Sequence, residues 1–431
     1  MRASLWLSLL LLSACADPCT DVQGRLDGAL PGETVEVGVC LVEGSLVVPE
    51  GVTLQGAGVG QTTVRTPDGV AGIELASGAG LRGLSVEGDS LPVVTSEGAA
   101  LLRDVEVRVA RGIGMRLVGD GHVLQNVRLI GPVTAENAAS VPVGAGTDET
   151  ATHGLIVSRG EAALTDVDVE GFGGTGVLAL DARLTWTGGV VANNLSVGLR
   201  VAGGEATLDG VELRDTYEGV QPTLAYAAAF SDAVIVTDAL FVHDNEGLGV
   251  LHAGGDATHR TLRGADNGDA ALWVQQASQL TVSDAALENN RLAGLFVAET
   301  RLVTVERTRV SGTQIARRAS DTEVREVGDG VQALLASDAE LSFDTVTFDG
   351  NARAGALLDL AEAGAEDLSF RAVEVDGPTE AFGVVAQRGA AGVVLDDAEI
   401  VRRGGPSSND ATFSSVPVLG IIGPMFLPPG E

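Results

Sequence analysis

Short apolar stretches recur along the chain at a nearly constant interval. One recurring phrase starts with a small residue and reads Gly-Val-Leu-Ala-Leu from Gly176, Gly-Leu-Arg-Val from Gly198, Gly-Val-Leu-His from Gly249, Ala-Leu-Trp-Val from Ala271 and Gly-Leu-Phe-Val from Gly294. The starts at Gly176 and Gly198 lie 22 residues apart, and those at Ala271 and Gly294 lie 23 apart. Because one short strand returns at a fixed period, the pattern predicts a solenoid in which each repeat forms one coil.

A second phrase alternates apolar and polar residues around an Asp or Asn. Copies begin at Leu102, Leu124, Leu164, Val282 and Leu395, and their central residues are Asp104, Asn126, Asp166, Asp284 and Asp397. Asp and Asn tolerate a left-handed backbone and bond to it through their side chains, so this column is predicted to mark a bend between two strands. A catalytic role for carboxylates that recur on so many coils is not favoured.

An asparagine column gives the same register. Asn194, Asn245, Asn267, Asn290 and Asn351 each stand four residues before the small residue that opens a strand. Side-chain amides stacked from coil to coil can bond to one another, so these residues are predicted to form an amide ladder.

Composition supports an all-β chain and excludes some partners. Hydrophobic residues make up 45% of the 431 residues and aromatics only 3%, which predicts a core of Val, Leu, Ile and Ala. The net charge is −32 and no lysine is present, so nucleic acid is not an expected partner. Bound calcium would suit such acidity, but the chain lacks the Gly-rich nonapeptide repeat that binds it, and no cofactor is predicted.

The amino end resembles the first coils of the right-handed parallel β-helix superfamily, which includes pectate lyases, pectin methylesterases and polygalacturonases. The resemblance rests on Asp21-Val-Gln-Gly-Arg-Leu, on Pro31-Gly-Glu-Thr-Val-Glu-Val and on the run from Pro49 to Val64. It implies an all-β, single-stranded right-handed parallel β-helix solenoid of about 22 residues per coil with a short N-terminal capping helix. Residues 45–403 would form the β-helix, 15–44 the N-terminal cap and 404–431 an irregular tail or cap. A fold does not specify an activity.

The first 15 residues are typical of an exported lipoprotein. Residues 1–14 carry one Arg and the apolar run LWLSLLLL, which is typical of a signal peptide. Leu12-Ser13-Ala14-Cys15 resembles the bacterial lipobox, which implies that Cys15 is lipidated, for example with palmitate, and anchors the chain in the cell envelope. Because Ala16 and not Asp follows, the resemblance favours the outer membrane. The remaining pair, Cys19 and Cys40, is then predicted to form a disulfide in an oxidising compartment.

One outward-facing column is unusually apolar. If the core takes alternate residues, Leu251, Trp273 and Phe296 point away from it on consecutive coils, with Arg200 and Gln332 in the same column. Insertions at about 131–152 and 312–328 enter beside this strand and offer polar walls that contain Glu136, Asp148, Glu149, Arg317, Arg318 and Arg325. An aromatic floor between polar walls would suit a glycan. The alternative is that an insertion or the tail covers the column without any ligand.

Catalytic motifs of the superfamily are incomplete. His153, in Thr-His-Gly, is similar to the histidine of polygalacturonases, but the acidic elements that should precede it are missing, as is the Arg-rich phrase of pectate lyases. The register places His252 inward and His243 and His259 at different corners, which argues against a shared metal.

The sequence therefore predicts a cell-envelope lipoprotein with a non-catalytic β-helix that binds polysaccharide or an envelope protein, with His153, Arg317 and Arg318 as further ligand contacts. A diverged polysaccharide lyase or glycoside hydrolase and a purely structural or adhesin-like rod remain alternatives.

Overall fold

The protein is described by a computed structural model. It covers residues 19–67, 69–70, 72–89, 92–138, 152–218, 225–319, 324–335, 338–359, 368–376, 382–387 and 400–403. The predicted signal peptide, Cys15, Asp397 and the tail 404–431 lie outside these residues. Within them, no helix is long and apolar enough to cross a membrane.

The chain forms a right-handed parallel β-helix of about 13 turns with about 23 residues per turn. Each strand pairs in parallel with the strand one coil further on, which creates three ladders. In ladder 1, for example, Leu251 pairs with Trp273, and Trp273 pairs with Phe296.

The strands are assigned to these ladders as follows. Ladder 1 contains β3 (Leu46–Val48), β6 (Ile73–Leu75), β8 (Val94–Ser96), β10 (Ile113–Val118), β12 (His153–Ser158), β18 (Tyr226–Ser231), β21 (Leu248–Ala253), β24 (Leu272–Gln275), β27 (Leu292–Ala298), β31 (Val324–Leu334), β34 (Ala354–Asp359) and β37 (Phe382–Gln387). Ladder 2 contains β1 (Thr34–Glu36), β4 (Thr53–Gln55), β19 (Val234–Asp238), β22 (Asp256–Arg260), β25 (Gln279–Ser283), β28 (Leu302–Glu306), β32 (Glu340–Asp344) and β35 (Leu368–Arg371). Ladder 3 contains β2 (Cys40–Glu43), β5 (Thr62–Arg65), β15 (Val190–Ala192), β17 (Glu212–Arg214), β20 (Phe241–His243), β23 (Arg263–Ala265), β26 (Ala286–Glu288), β29 (Arg309–Ser311), β33 (Thr347–Asp349), β36 (Val373–Asp376) and β38 (Ile400–Arg403).

Longer strands turn a corner without a break. β7 (Ala79–Gly88), β9 (Ala100–Val109), β11 (His122–Ile130) and β13 (Glu161–Glu170) run from ladder 2 into ladder 3, whereas β14 (Thr175–Thr187) and β16 (Val197–Asp209) run from ladder 1 into ladder 2. β30 (Ala316–Ala319) is the exception, because it pairs antiparallel with the start of β31 and forms a hairpin that projects from the coils.

The predicted bend column is confirmed. Asp104, Asn126, Asp166 and Asp284 have positive φ angles of 54°, 51°, 51° and 54°, as a left-handed bend requires. The same bend is made by Arg307 at 45° and Ala372 at 49°, which residue type alone does not predict.

The amide ladder is also confirmed. Asn245 Nδ2 donates to Asn267 Oδ1 over 2.8 Å, and Asn267 Nδ2 donates to Asn290 Oδ1 over 2.8 Å. Asn194 and Asn351 accept a backbone N–H from the preceding coil, at 3.0 Å and 3.2 Å. Each of these buried amides is thus satisfied inside the solenoid, which fixes the register of neighbouring coils.

The amino end is closed by α1 (Val22–Asp27), which buries Val22 and Leu26 against the first coil. Asp21 caps the helix by accepting from the Gly24 N–H. The predicted disulfide between Cys19 and Cys40 is present, with a Cα separation of 6.2 Å. Parallel pairing starts at β1, so the coils begin at Thr34.

Candidate functional site

The outer face of ladder 1 carries the column that the sequence singled out. In chain order this outward column holds Arg116, Ile156, Leu178, Arg200, Ala229, Leu251, Trp273, Phe296, Gln332, Leu357 and Val385. Its orientation is as predicted: Leu272 and Val274 lie in the main core, while Trp273 between them belongs to a separate apolar cluster outside it.

The carboxyl-terminal half of the column is not an exposed floor. Trp273 and Phe296 are 0% exposed and Leu251 is 2% exposed, and the two rings stack with centroids 3.9 Å apart. Val327 of β31 is buried in the same cluster, and Ala316 of β30 packs against it. Of the two alternatives, the covered column is therefore the correct one for this half, and the open aromatic surface is wrong, because the hairpin built from the second insertion packs on these side chains.

The polar groups beside the buried rings are buried as well. Trp273 Nε1 donates to Gln275 Oε1 over 3.0 Å, and Gln332 is fully buried. Gln332 is thus a buried residue and not an exposed contact. Arg317 and Arg318 lie in β30, opposite Glu326 and Arg325 in the hairpin, and their side chains lie outside the described part of the structure.

The amino-terminal half of the column has a different character. Arg116, Ile156, Leu178 and Arg200, here called the shelf, are all partly exposed. The register places the two arginines three coils apart, which corresponds to roughly 14 Å between their Cα atoms. Two aliphatic side chains fill the space between the two cations.

The arginines of the shelf meet no acidic side chain in the part of the chain that the structure describes. Neither Arg116 nor Arg200 makes an ion pair within the described residues, and the buried Nε of Arg200 has no hydrogen-bond acceptor there. Arg183 on ladder 2, by contrast, bonds Glu161 at 2.7 Å and Glu205 at 3.0 Å. Burial lowers the pKa of the Arg200 guanidinium, which shows that its charge is held at an energetic cost.

His153 lies on the same outer face, at the start of β12. Its Nδ1 accepts the Thr175 N–H over 3.2 Å. Burial lowers the pKa of His153 below its ordinary value, and the positive charge of Arg200 lowers it further. The structure thus brings together two of the predicted contact residues, with the imidazole neutral at pH 7.

The first insertion borders the shelf. Its described part includes Val133 and Ala138, which pack on Leu195 beside Tyr217 at the corner that leads into ladder 1. Glu136 is exposed, whereas Asp148 and Glu149 lie outside the described residues. The predicted position of this wall is therefore correct for residues 131–138.

A second concave region lies at the corner after ladder 3. This cavity of about 440 Å³ is lined by residues that include Arg65, Glu87, Asp89, Arg108 and Pro132. Its charges are paired, since Arg65 meets Glu87 at 3.1 Å and Asp89 meets Arg111 at 3.3 Å. Because the side chains satisfy each other, this cavity is a weaker candidate than the shelf.

Within the described residues, the histidines belong to no group of potential metal ligands. His252 points inward as predicted, but His259, expected at a corner, is also fully buried in the coil interior. Burial lowers the pKa of His252 to about 4 and that of His259 to about 3. Among the described residues, no group of three or more His, Cys, Asp or Glu side chains could hold a metal ion, so nothing there supports bound calcium.

Comparison with known proteins gives limited information. No family model and no curated protein sequence matches the chain. Among solved structures, the A-module of a mannuronan C-5 epimerase from Azotobacter vinelandii is 14% identical, with a TM-score of 0.39 over 90% of this chain and 94% of that one. The Dettilon tailspike protein is 12% identical, with a TM-score of 0.41 over 78% of this chain and 62% of the tailspike. The catalytic unit of a GH87 alpha-1,3-glucanase from Streptomyces thermodiastaticus is 15% identical, with a TM-score of 0.31 over 90% and 65% of the two chains.

This chain is a right-handed parallel β-helix protein, and at these levels of identity the similarities concern the fold alone.

Proposed function

We propose that the protein is an exported cell-envelope lipoprotein that binds an acidic polysaccharide on the shelf without cleaving it. The observation that carries this proposal is a pair of partly buried arginines, at the ends of an apolar strip, that make no ion pair with any described residue. In a chain with 59 acidic and 27 basic residues, cations without acidic partners are a costly feature that an anionic ligand would relieve.

The chemistry of the shelf suits a sugar chain that lies along the axis of the solenoid. Guanidinium groups bind carboxylates through two parallel hydrogen bonds, so Arg116 and Arg200 can each hold one uronate unit. Ile156 and Leu178 offer an apolar surface for the C–H faces of the sugar rings between them.

The described strand residues on either side of the shelf favour binding over hydrolysis, and the nearest described carboxylate of the first insertion is Glu136. The residues that flank the shelf along its strands include Ile113, His153, Thr175 and Val197 on one side and Val118, Ser158, Leu180 and Ala202 on the other. None of these is a carboxylic acid, whereas glycoside hydrolysis needs a pair of them across the scissile bond. The neutral imidazole of His153 near Arg200 is the one feature that would suit proton abstraction by a lyase.

The envelope location rests on the amino-terminal sequence. The lipobox-like Leu12-Ser13-Ala14-Cys15 supports export and lipidation, and the disulfide between Cys19 and Cys40 is the kind of bond that persists in an oxidising compartment. Mass spectrometry of the mature amino terminus tests this part, because a chain that keeps residues 1–14 or an unmodified Cys15 would contradict it.

Affinity electrophoresis of the full chain tests the binding part. The probes are polygalacturonate and its fully methyl-esterified form, which share a backbone and differ in charge. We expect retention by the charged polymer only, and a tenfold or greater loss of affinity in Arg200→Gln. The matched control is Arg183→Gln, which removes an exposed arginine that already has two acidic partners and should bind normally.

The same assay separates the alternatives. Absence of retention by the charged polymer, or normal retention of the Arg200→Gln variant, would contradict binding on the shelf. Release of unsaturated oligosaccharides that disappears in His153→Gln would replace the binding proposal with a lyase.

A further inference from the structure

Exposed apolar side chains concentrate at the amino end of the solenoid. Of the nine large hydrophobic side chains that are exposed within the described residues, six lie between residues 30 and 70. This apolar collar consists of Leu30, Val39, Leu41, Val47, Val59 and Val70. All six lie in or beside the first two coils, within about 10 Å of the end of the rod along its axis. Single exposed apolar residues are ordinary, so what sets this end of the solenoid apart is the concentration of six of them within two coils.

Two residues of the collar, including its most exposed one, flank the disulfide. Val39 is 71% exposed and Leu41 is 44% exposed, and these two residues flank Cys40, which is bonded to Cys19. The disulfide therefore joins the beginning of the described chain covalently to the part of the first coil that presents these apolar side chains.

The distance to the expected lipid is short. Only four peptide steps separate Cys15 from Cys19, so a lipidated Cys15 can lie no further than about 14 Å from the disulfide even in a fully extended chain. The first coil would then be held at the membrane surface whatever the orientation of the rod.

We propose that the apolar collar rests in the interfacial layer of the bilayer and gives the protein a second, non-covalent contact with the membrane. The inference depends on lipidation at Cys15, which is part of the proposed function. An apolar surface that a lipid anchor brings to the bilayer interface adds to membrane binding, because binding strength scales with the apolar area buried there. The tether selects lipid over a protein partner, because it places the collar against the bilayer before any other surface can reach it.

The charges near the collar indicate which lipids it fits. Asp27, Glu33, Glu36 and Glu43 lie in the same region, with Arg25 and Arg65 as the nearby cations. An acidic collar is repelled by anionic headgroups, so zwitterionic phosphatidylcholine is the appropriate test surface.

A tryptophan placed in the collar tests the contact. Lipidated full-length Val39→Trp is incorporated into phosphatidylcholine vesicles with brominated acyl chains, which quench nearby indole fluorescence. The tryptophans of the mature chain, Trp186 and Trp273, are both 0% exposed and should give little quenching. Val59→Trp is a second reporter, in case the first variant folds poorly.

The matched control is Val234→Trp. Val234 is 44% exposed on ladder 2, eight coils beyond β1, or roughly 38 Å along the axis. We expect at least threefold stronger quenching at position 39 or 59 than at position 234. Vesicle flotation without this difference would overturn the collar contact alone, whereas failure to float would contradict both the lipid anchor and the collar.

Discussion

The side chains in the two halves of the outward column on ladder 1 point in the same direction but differ in exposure to solvent. From Arg116 to Arg200 the side chains are partly open and end in cations without an ion pair among the described residues, whereas from Leu251 to Phe296 they are covered and apolar. The backbone geometry is the same in both halves, since every residue pairs with its counterpart one coil away. The difference comes from what packs on each half, with the hairpin of β30 and β31 covering the second.

The comparison shows that the direction of a side chain and its exposure to solvent are separate properties. Alternation along a strand tells which way a side chain points, but exposure depends on whether another segment lies on top of it. An apolar residue that points away from a solenoid core is therefore as consistent with an outer cluster as with a binding surface.

The largest expected difference between the halves is in stability. Trp273→Ala removes a fully buried ring from the outer cluster and should lower the free energy of unfolding by about 3–5 kcal/mol. Leu178→Ala in the shelf should cost about 1 kcal/mol, because this side chain already contacts water. Urea denaturation followed by circular dichroism compares them, and equal losses would show that the hairpin does not protect Trp273.

Acid should lower the stability of the folded protein through two histidines that are buried inside the covered half. His252 and His259 have pKa values lowered to about 4 and about 3 by burial, so an unfolded chain binds protons there that the folded chain does not. Stability should be fully present above about pH 6.5, the ordinary histidine pKa, and fall by up to about 1.4 kcal/mol per pH unit for each imidazole toward pH 4.

His259→Val tests this acid effect, because Val282 occupies the equivalent position one coil on. The variant should flatten the fall in urea midpoint between pH 6.5 and pH 4. His243→Gln is the control, since its side chain is partly exposed and bonds to Asp244 and Glu212. An unchanged slope in His259→Val would show that the buried imidazole is not the acid-sensitive group.

The smallest stability effect is expected on the shelf. Arg200→Gln removes a charge that has no acidic partner in the described structure, so the free energy of unfolding should change by less than about 0.5 kcal/mol. Arg353→Gln should cost about 3 kcal/mol, because it leaves the fully buried Asp329 without its cation. Thermal denaturation distinguishes the two variants, and a large loss in Arg200→Gln would indicate a structural partner for this arginine.

Most of the fold follows from repetition in the sequence. The 22-residue spacing, the Asx bends and the asparagine column each predict the same register because every coil must satisfy its neighbours in the same way. The disulfide followed from the count of cysteines. His259 was misplaced because the bend after it is made by Thr261, at a φ of 52°, and not by an Asp or Asn that would mark the corner.

The site was less predictable because it depends on contacts between distant segments. The sequence left open whether an insertion covers the column, and no local pattern shows that Ala316 and Val327 pack in the cluster of Trp273. The environment of Arg200 was partly visible in the sequence. Its counterparts one coil away are Leu178 and Ala229, and neither of these side chains can accept a hydrogen bond from the guanidinium group. An arginine flanked by apolar residues at the repeat spacing would have identified Arg200, but not Arg116, whose counterparts are Thr95 and Ile156.

Because the register is the same from coil to coil, a distance along the solenoid axis can be obtained by counting coils. Counted along ladder 1 from Val47, the shelf begins three coils and ends six coils from the amino end, which is roughly 14 to 29 Å along the axis. Adding or deleting one coil between them would shift this distance by roughly 5 Å and leave the shelf itself intact. If the proposed anchor holds the first coil of an upright rod at a membrane, the height of the shelf is a discrete quantity that changes by gain or loss of single repeats.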